Sequence, residues 1–179
     1  MNCESSLADQ IHRTGFSCIR CGSCCRETEP GSNLVMVGCE EISKIMTSTG
    51  LSFEEIVEPY PDRIVEGDRT YTFGWVLRRN GDRCQFLKES GCAIYESRPW
   101  ICRTYPFMLD EQGLTIHPCE GTGRNKESAD AVGIAFDLCR RYAYEQEQEE
   151  KIRSILQSEG IPAGRPVVID TEGIKEYHG

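Results

Sequence analysis

The sequence predicts an α+β fold: a small, irregular cysteine-cluster domain with short β-hairpins, a helical pair and a long C-terminal helix. Three observations lead there. Cysteines gather in groups, Cys18, Cys21, Cys24 and Cys25 first, then Cys84, Cys92 and Cys102, with Cys119 standing alone after them. Alternating apolar residues broken by turn signals fill the middle of the chain, and from about Ser128 to Ser158 the pattern turns helical. A length of 179 residues suits one domain with a peripheral extension. The division expected is a metal-binding cysteine-cluster domain over 1–125 and a helical extension over 126–179 packed on it.

"EEISKIMTS" places Ile42, Ile45 and Met46 at helical spacing. "LSFEEIVEPY" follows, with Ser52 as N-cap and Glu55 completing a capping box. Leu51 and Ile56 take the positions of a hydrophobic staple, and Pro59 stops the helix. "TYTFGWVLRR" sets Tyr71, Phe73, Trp75 and Leu77 on one face of a half-buried strand. Asn80-Gly81 predicts a type I′ turn returning through "DRCQFL", which puts Cys84 on the second arm of a hairpin. "PFMLDEQGLTIHP" predicts another hairpin, ending in His117 and Cys119. In the long helix Val132, Ala135, Phe136, Cys139, Tyr142 and Ala143 share one face, "EQEQEEK" is solvated, and Gly160 is the C-cap. "RPVVIDTEG" adds an edge strand.

A net charge of −9 argues against a nucleic-acid binder, which shows a basic face, and against docking on an anionic membrane. No apolar run approaches the roughly 18–20 residues of a spanning helix. The opening "MNCESSLADQIHRTG" shows no charged stretch followed by an apolar one, so a soluble, cytoplasmic protein is expected.

Eleven cysteines in such a protein need an explanation. The count is odd and the cytosol keeps thiols reduced, so metal or cluster binding fits better than a disulfide framework. Cys18-x-x-Cys21 has the spacing with which a tight turn aims two sulfurs at one centre, and Cys24 repeats the interval. Thiolates are soft anionic ligands that suit zinc and iron–sulfur clusters alike. Cys24 and Cys25, being adjacent, are harder to direct at one ion, so one serves a second centre or is a spare thiol. Arg98 and Arg103 flank Cys102 and either donate to the sulfurs and offset their charge or pair with carboxylates. His117 is an alternative ligand, whereas Cys39 and Cys139 read as small core residues. Cys3 and His178 are assigned nothing, and Tyr105 reads as a packing residue within reach of a ligand.

Several frames fail. The ferredoxin run C-x2-C-x2-C-x3-C meets Thr28 at its last position, and the radical-SAM spacing is not completed either. There is no P-loop and no GxGxxG after a strand, and "CEGTGR" matches neither frame.

Taken together, "FSCIRCGSCC", "CQFL", "GCAIYESRPWICRTYPF" and "PCEGTG" resemble the YkgJ-like CxxCxxCC cysteine-cluster family of zinc- or iron-chelating domains. The likeness runs from Phe16 to Cys119. It implies that Cys18, Cys21, Cys24, Cys25, Cys84, Cys92, Cys102 and Cys119 belong to the metal site, with Arg98-Pro99 and Arg103…Pro106 part of the pattern. The leading expectation is an iron–sulfur protein holding one or two 4Fe–4S clusters in an electron-transfer or accessory redox role. Its acidic surface would select a protein partner with a basic docking face. The alternatives are a zinc-stabilised interaction module and a cluster-dependent enzyme of unknown substrate. No catalytic acid–base pair stands out beside the cysteines.

Overall fold

The computed structural model describes residues 3–29, 31–128 and 130–177; the side chain of Cys3 and the whole of His178 lie outside the described residues. The first half of the chain forms α1 (Cys3–His12), a 3₁₀ turn (Ser23–Cys25), β1 (Met36–Val37), α2 (Cys39–Thr49), α3 (Phe53–Ile56), β2 (Val57–Pro59), β3 (Ile64–Glu66), β4 (Arg69–Phe73) and β5 (Trp75–Leu77). Then come β6 (Arg79–Asn80), β7 (Arg83–Cys84), β8 (Leu87–Lys88), β9 (Gly91–Cys92) and a 3₁₀ turn (Tyr95–Ser97). The rest forms α4 (Trp100–Thr104), β10 (Phe107–Asp110), β11 (Gly113–Ile116), α5 (Ala131–Glu159), β12 (Pro166–Asp170) and β13 (Gly173–Glu176). The class is α+β, with small sheets and a long C-terminal helix. No helix among the described residues is long and apolar enough to cross a membrane.

Two compact units result, each drawn from two stretches of chain. The first combines the stretch ending at Cys24 with Arg98–Glu145; the second combines Cys25–Ser97 with the stretch from Gln146 onward.

In the first unit Leu7 and Ile11 of α1, Phe16, Phe107 and the Ala131, Ile134, Ala135 and Leu138 stripe of α5 form the core. Phe107 is fully buried and meets Phe16 edge-on, ring centroids 5.3 Å apart at 88°. The β10–β11 hairpin pairs Phe107 with Ile116 and Asp110 with Gly113, as its sequence predicts. The inward face of α5 differs from the predicted one: Val132 and Phe136 are 75% and 46% exposed. Two apolar stripes compete on this helix, and the one carrying Ala131 and Ala135 lets the backbone come closer to its neighbours. Cys139 is half-buried against this core, as a small core residue.

The second unit is built on a four-stranded sheet in the order β13-β12-β4-β3 and a three-stranded one in the order β1-β5-β2. The strand expected at an edge is interior: β12 pairs antiparallel with β13 and parallel with β4, and Val167, Val168 and Ile169 are fully buried. A continuous apolar run marks a strand covered on both faces, which an edge does not require. Ile152 and Leu156 of α5 pack on the Tyr71, Val167 and Ile169 cluster. The predicted long strand breaks at Gly74 (φ +71°) into β4 and β5, which lie in different sheets. Its alternation is lost too, because Thr72 is buried, donating from Oγ1 to the carbonyls of Tyr60 and Asp62 at 2.9 Å each.

Local signals fare well here. The Ser52 box forms, with the Glu55 N–H on Ser52 Oγ at 3.3 Å and the Ser52 N–H on Glu55 Oε2 at 2.8 Å. Those bonds hold the Glu55 carboxyl below its usual range. The helix lasts one turn only, and the chain leaves for β2 before Pro59 is reached. At the β6–β7 hairpin, Asn80 pairs with Arg83, so Gly81 and Asp82 form the loop. Gly81 alone takes positive φ (+65°), the glycine-first arrangement of a type II′ turn and not type I′.

Candidate metal centre

Cys18 and Cys21 lie on the loop between α1 and the 3₁₀ turn Ser23–Cys25, where Arg20 (φ +55°) and Gly22 (φ +75°) curl the backbone, and Cys24 lies in the turn itself. Cys119 reaches this loop through a zipper of backbone contacts. The Ser17 N–H donates to Gly121 O at 2.9 Å, Gly123 N–H to Thr14 O at 2.9 Å, and Asn125 N–H to Gly15 O at 3.1 Å. Ser128, fully enclosed, donates from Oγ to Ile11 O at 2.8 Å and accepts from the Phe16 N–H at 2.7 Å. Gly121 is where side-chain bulk is forbidden: a Cβ there would lie 2.5 Å from Ser17 O and 3.0 Å from the Phe16 ring. In "PCEGTG", Gly121 therefore allows the close approach of Ser17, and Gly123 donates its N–H to the same neighbouring segment.

This pairing brings the Cys119 thiol within electrostatic reach of Cys18, Cys21 and Cys24. Burial pushes the Cys119 thiol above its ordinary value, the Gly121 N–H donating to Sγ at 3.4 Å opposes this, and the charges of Cys21, Cys24 and Cys18 raise it further. Cys18 and Cys21 are exposed, Cys24 and Cys119 half-buried. Tyr105 lies against the same group. Its hydroxyl donates to Pro118 O at 2.8 Å, and burial first, then Cys119, Cys24 and Cys21, push its pKa up. His117 stacks on Tyr105, centroids 6.4 Å apart at 18°.

Thiols crowded in this way resist ionising together unless a cation offsets their charge. A soft metal centre supplies that cation, so the residues present fit zinc or iron–sulfur chemistry.

Cys25, Cys84 and Cys92 belong to the second unit. Arg26 bridges Arg83 antiparallel, and the Glu27 N–H donates to Asp82 O at 2.6 Å. In that register Cys25 falls opposite Cys84. The β8–β9 hairpin pairs Leu87 with Cys92. Burial raises the Cys84 thiol, the Phe86 N–H lowers it, the Cys92 thiol raises it and Arg79, paired with Cys84 across β6–β7, lowers it. Adjacent in sequence, Cys24 and Cys25 thus fall in different units.

Cys102 is half-buried on α4 in the first unit, its N–H on Pro99 O at 3.0 Å. Arg103 donates to Asp137 at 2.6 Å, a carboxylate partner, and Arg98 is half-buried.

One cluster was not anticipated. Cys39 Sγ and oxygens of Asp170 and Glu172 lie within 4.8 Å of one another. Lys175 Nζ already serves both carboxylates, at 2.8 and 2.7 Å, and buried Asp170 also accepts from Trp75 Nε1 at 2.7 Å. Burial, then Asp170, pushes the Cys39 thiol up. The centre of this cluster is therefore a structural lysine, and Cys39 stays a protonated thiol.

The model of one protein family, CxxCxxCC, described as "Putative zinc- or iron-chelating domain", matches residues 17–130. The chain is also similar to the uncharacterized protein MJ0661 of Methanocaldococcus jannaschii, 31% identical over 101 residues, 55% of this chain and 48% of that protein. It therefore spans about half the length of that relative. No solved structure gives a significant match. The family match takes in every grouped cysteine from Cys18 to Cys119, and the chain belongs to the CxxCxxCC family of zinc- or iron-chelating domains.

Proposed function

We propose that the thiolates of Cys18, Cys21, Cys24 and Cys119 hold one iron–sulfur cluster, and that the protein passes electrons as a carrier or as an accessory to a larger redox system. The observation supporting this most strongly is the backbone pairing of Gly121, Gly123 and Asn125 with Ser17, Thr14 and Gly15, which carries Cys119 toward the segment that holds Cys18, Cys21 and Cys24. Four thiolates complete the ligand set of a 4Fe–4S centre. When bound, such a cluster supplies one-electron chemistry.

The protein's own residues set the conditions. Exposed Cys18 and Cys21 keep one edge of the site near solvent, which shortens the path to a partner. The Gly121 N–H steadies the Cys119 thiolate. Cys119 packs against the core that holds the Phe16–Phe107 pair, which gives the site an apolar inner side. A surface of net charge −9 favours a protein partner with a basic docking face and speeds encounter with it. Cys25, Cys84 and Cys92 are the candidate ligands of a second centre, with Arg79 as the cation beside them. Cys102 is the remaining family-pattern thiol, and Arg98 and Arg103 bring positive charge to its flanks, the latter shared with Asp137.

The ligand is the thiolate, so loading displaces protons. Cys119 has a raised pKa and holds its proton at neutral pH. Metal binding must release it, and affinity is therefore lost as pH falls and gained as pH rises toward the thiol range. Competition against a chelator of known protonation, using zinc as probe between about pH 6 and 8, where free thiols are still protonated, should show log affinity climbing with pH. The slope should exceed one and approach one per protonated thiol ligand. A flat profile would mean that carboxylates or backbone, and not thiols, bind the ion.

A further inference from the structure

We infer that the second unit carries an oxyanion-binding site in the cleft of about 580 Å³ lined by Arg26, Arg83, Leu87, Lys88, Glu89 and Ser90, suited to a small molecule bearing a phosphate or carboxylate. The inference is independent of which metal the thiols hold.

Arg26 and Arg83 occupy directly opposed positions of an antiparallel bridge. Like charges placed there repel. In a chain with 29 acidic and 20 basic residues, carboxylates to relieve them are plentiful, yet the relief is slight. Among the described residues Arg83 pairs only with Asp82, at 3.4 Å with both side chains about half exposed, a pairing of little worth. Arg26 enters no ion pair with a described residue. Lys88 adds a third positive charge to the same cleft, against the single carboxylate of Glu89.

These arginines do not belong to the cysteines. Successive strand residues point to opposite faces, so Arg26 and Arg83 face away from Cys25 and Cys84. The cation on the thiol side is Arg79, the register partner of Cys84. The opposite wall is the β8–β9 hairpin, in which Lys88 pairs with Gly91 and leaves Glu89 and Ser90 at the tip. Two guanidinium forks side by side match the oxygens of a phosphate or carboxylate bidentately. Leu87 offers an apolar surface to the rest of the ligand, and Ser90 and Glu89 can bond a hydroxyl or amine on it. The volume falls within the few hundred to about 1,000 Å³ typical of small-molecule sites.

Calorimetry on the metal-loaded protein tests this, with phenyl phosphate and glutarate as probes because both chelate metals weakly. At least one should bind saturably with one site per chain. Binding of phenyl phosphate alone identifies the source as a phosphate, of glutarate alone as a carboxylate. Arg26→Gln and Arg83→Gln should each weaken it about tenfold or more, the loss expected for a charge-assisted bidentate contact. Lys88→Gln, an exposed change that leaves the bridge intact, should weaken it less, and Arg69→Gln, an exposed arginine outside the cleft, should leave it unchanged. Metal content should stay the same in all of them. The site is refuted if neither probe saturates, if the Arg26→Gln/Arg83→Gln double variant binds as well as the parent, or if Arg69→Gln weakens binding equally. Capture of poly-glutamate with no small-anion binding would also overturn it, in favour of an acidic protein partner.

Discussion

Cys119→Ser should strip the metal from the first unit, while Cys139→Ser should keep it. Both residues are half-buried cysteines packed against one core, so loss of a thiol from that core is common to the two variants. They differ in what the sulfur faces. Cys119 feels the charges of Cys18, Cys21 and Cys24, whereas Cys139 is on the core side of α5. A four-thiolate site of about 10–16 kcal/mol assigns roughly 3 kcal/mol to each ligand, so removing one should weaken metal binding about a hundredfold or more. Cys21→Ser should behave like Cys119→Ser. Metal per chain after gel filtration against a mild chelator gives the answer. Equal loss in the Cys119 and Cys139 variants would show that the sulfurs are wrongly grouped.

Phe107→Ala should be the most damaging change to the fold of the first unit, lowering stability by about 3–5 kcal/mol. Phe107 is fully buried, and its edge-on contact with Phe16 fixes the segment that runs into Cys18. It also begins the hairpin that leads to Cys119. The variant should therefore lose both denaturant resistance and metal affinity, with the two losses moving together. Val132→Ala is the matched control, because that side chain is 75% exposed and its truncation should cost within about 0.5 kcal/mol. Urea unfolding followed by circular dichroism measures both. Similar midpoints for the two variants would remove Phe107 from the centre of the core.

What was legible in the sequence was short-range. The Ser52 capping box, the α2 helix with buried Ile42 and Ile45, and both hairpins rest on signals a few residues apart, and all of them form. Misreadings arose where a distant partner decided between local options. Nothing near Val132 reveals that α5 turns its alanine stripe inward, because the choice depends on α1 and Phe107. The segment "PVVID" has no local mark of being interior, since β4, its parallel partner, is remote in sequence. The cysteines stood out by type and spacing, but the division of their positions between the two units did not. Cys24 and Cys25 part company because the backbone on one side follows α1 and on the other pairs with β7. "CEGTGR" matches no phosphate-binding frame and gives no local reason for Gly121; the approach of Ser17 explains it. The Lys175–Asp170–Trp75 network was likewise invisible, being assembled from remote strands and one turn.

Analysis of metal and acid-labile sulfide in protein purified without oxygen decides whether the thiolates of Cys18, Cys21, Cys24 and Cys119 hold an iron–sulfur cluster. Iron and sulfide should appear in equal amounts, about four of each per filled four-thiolate centre, with a brown absorbance that bleaches on reduction and is lost in Cys119→Ser. Zinc without sulfide, in a colourless protein, would contradict it and leave a closed tetrathiolate that braces the fold.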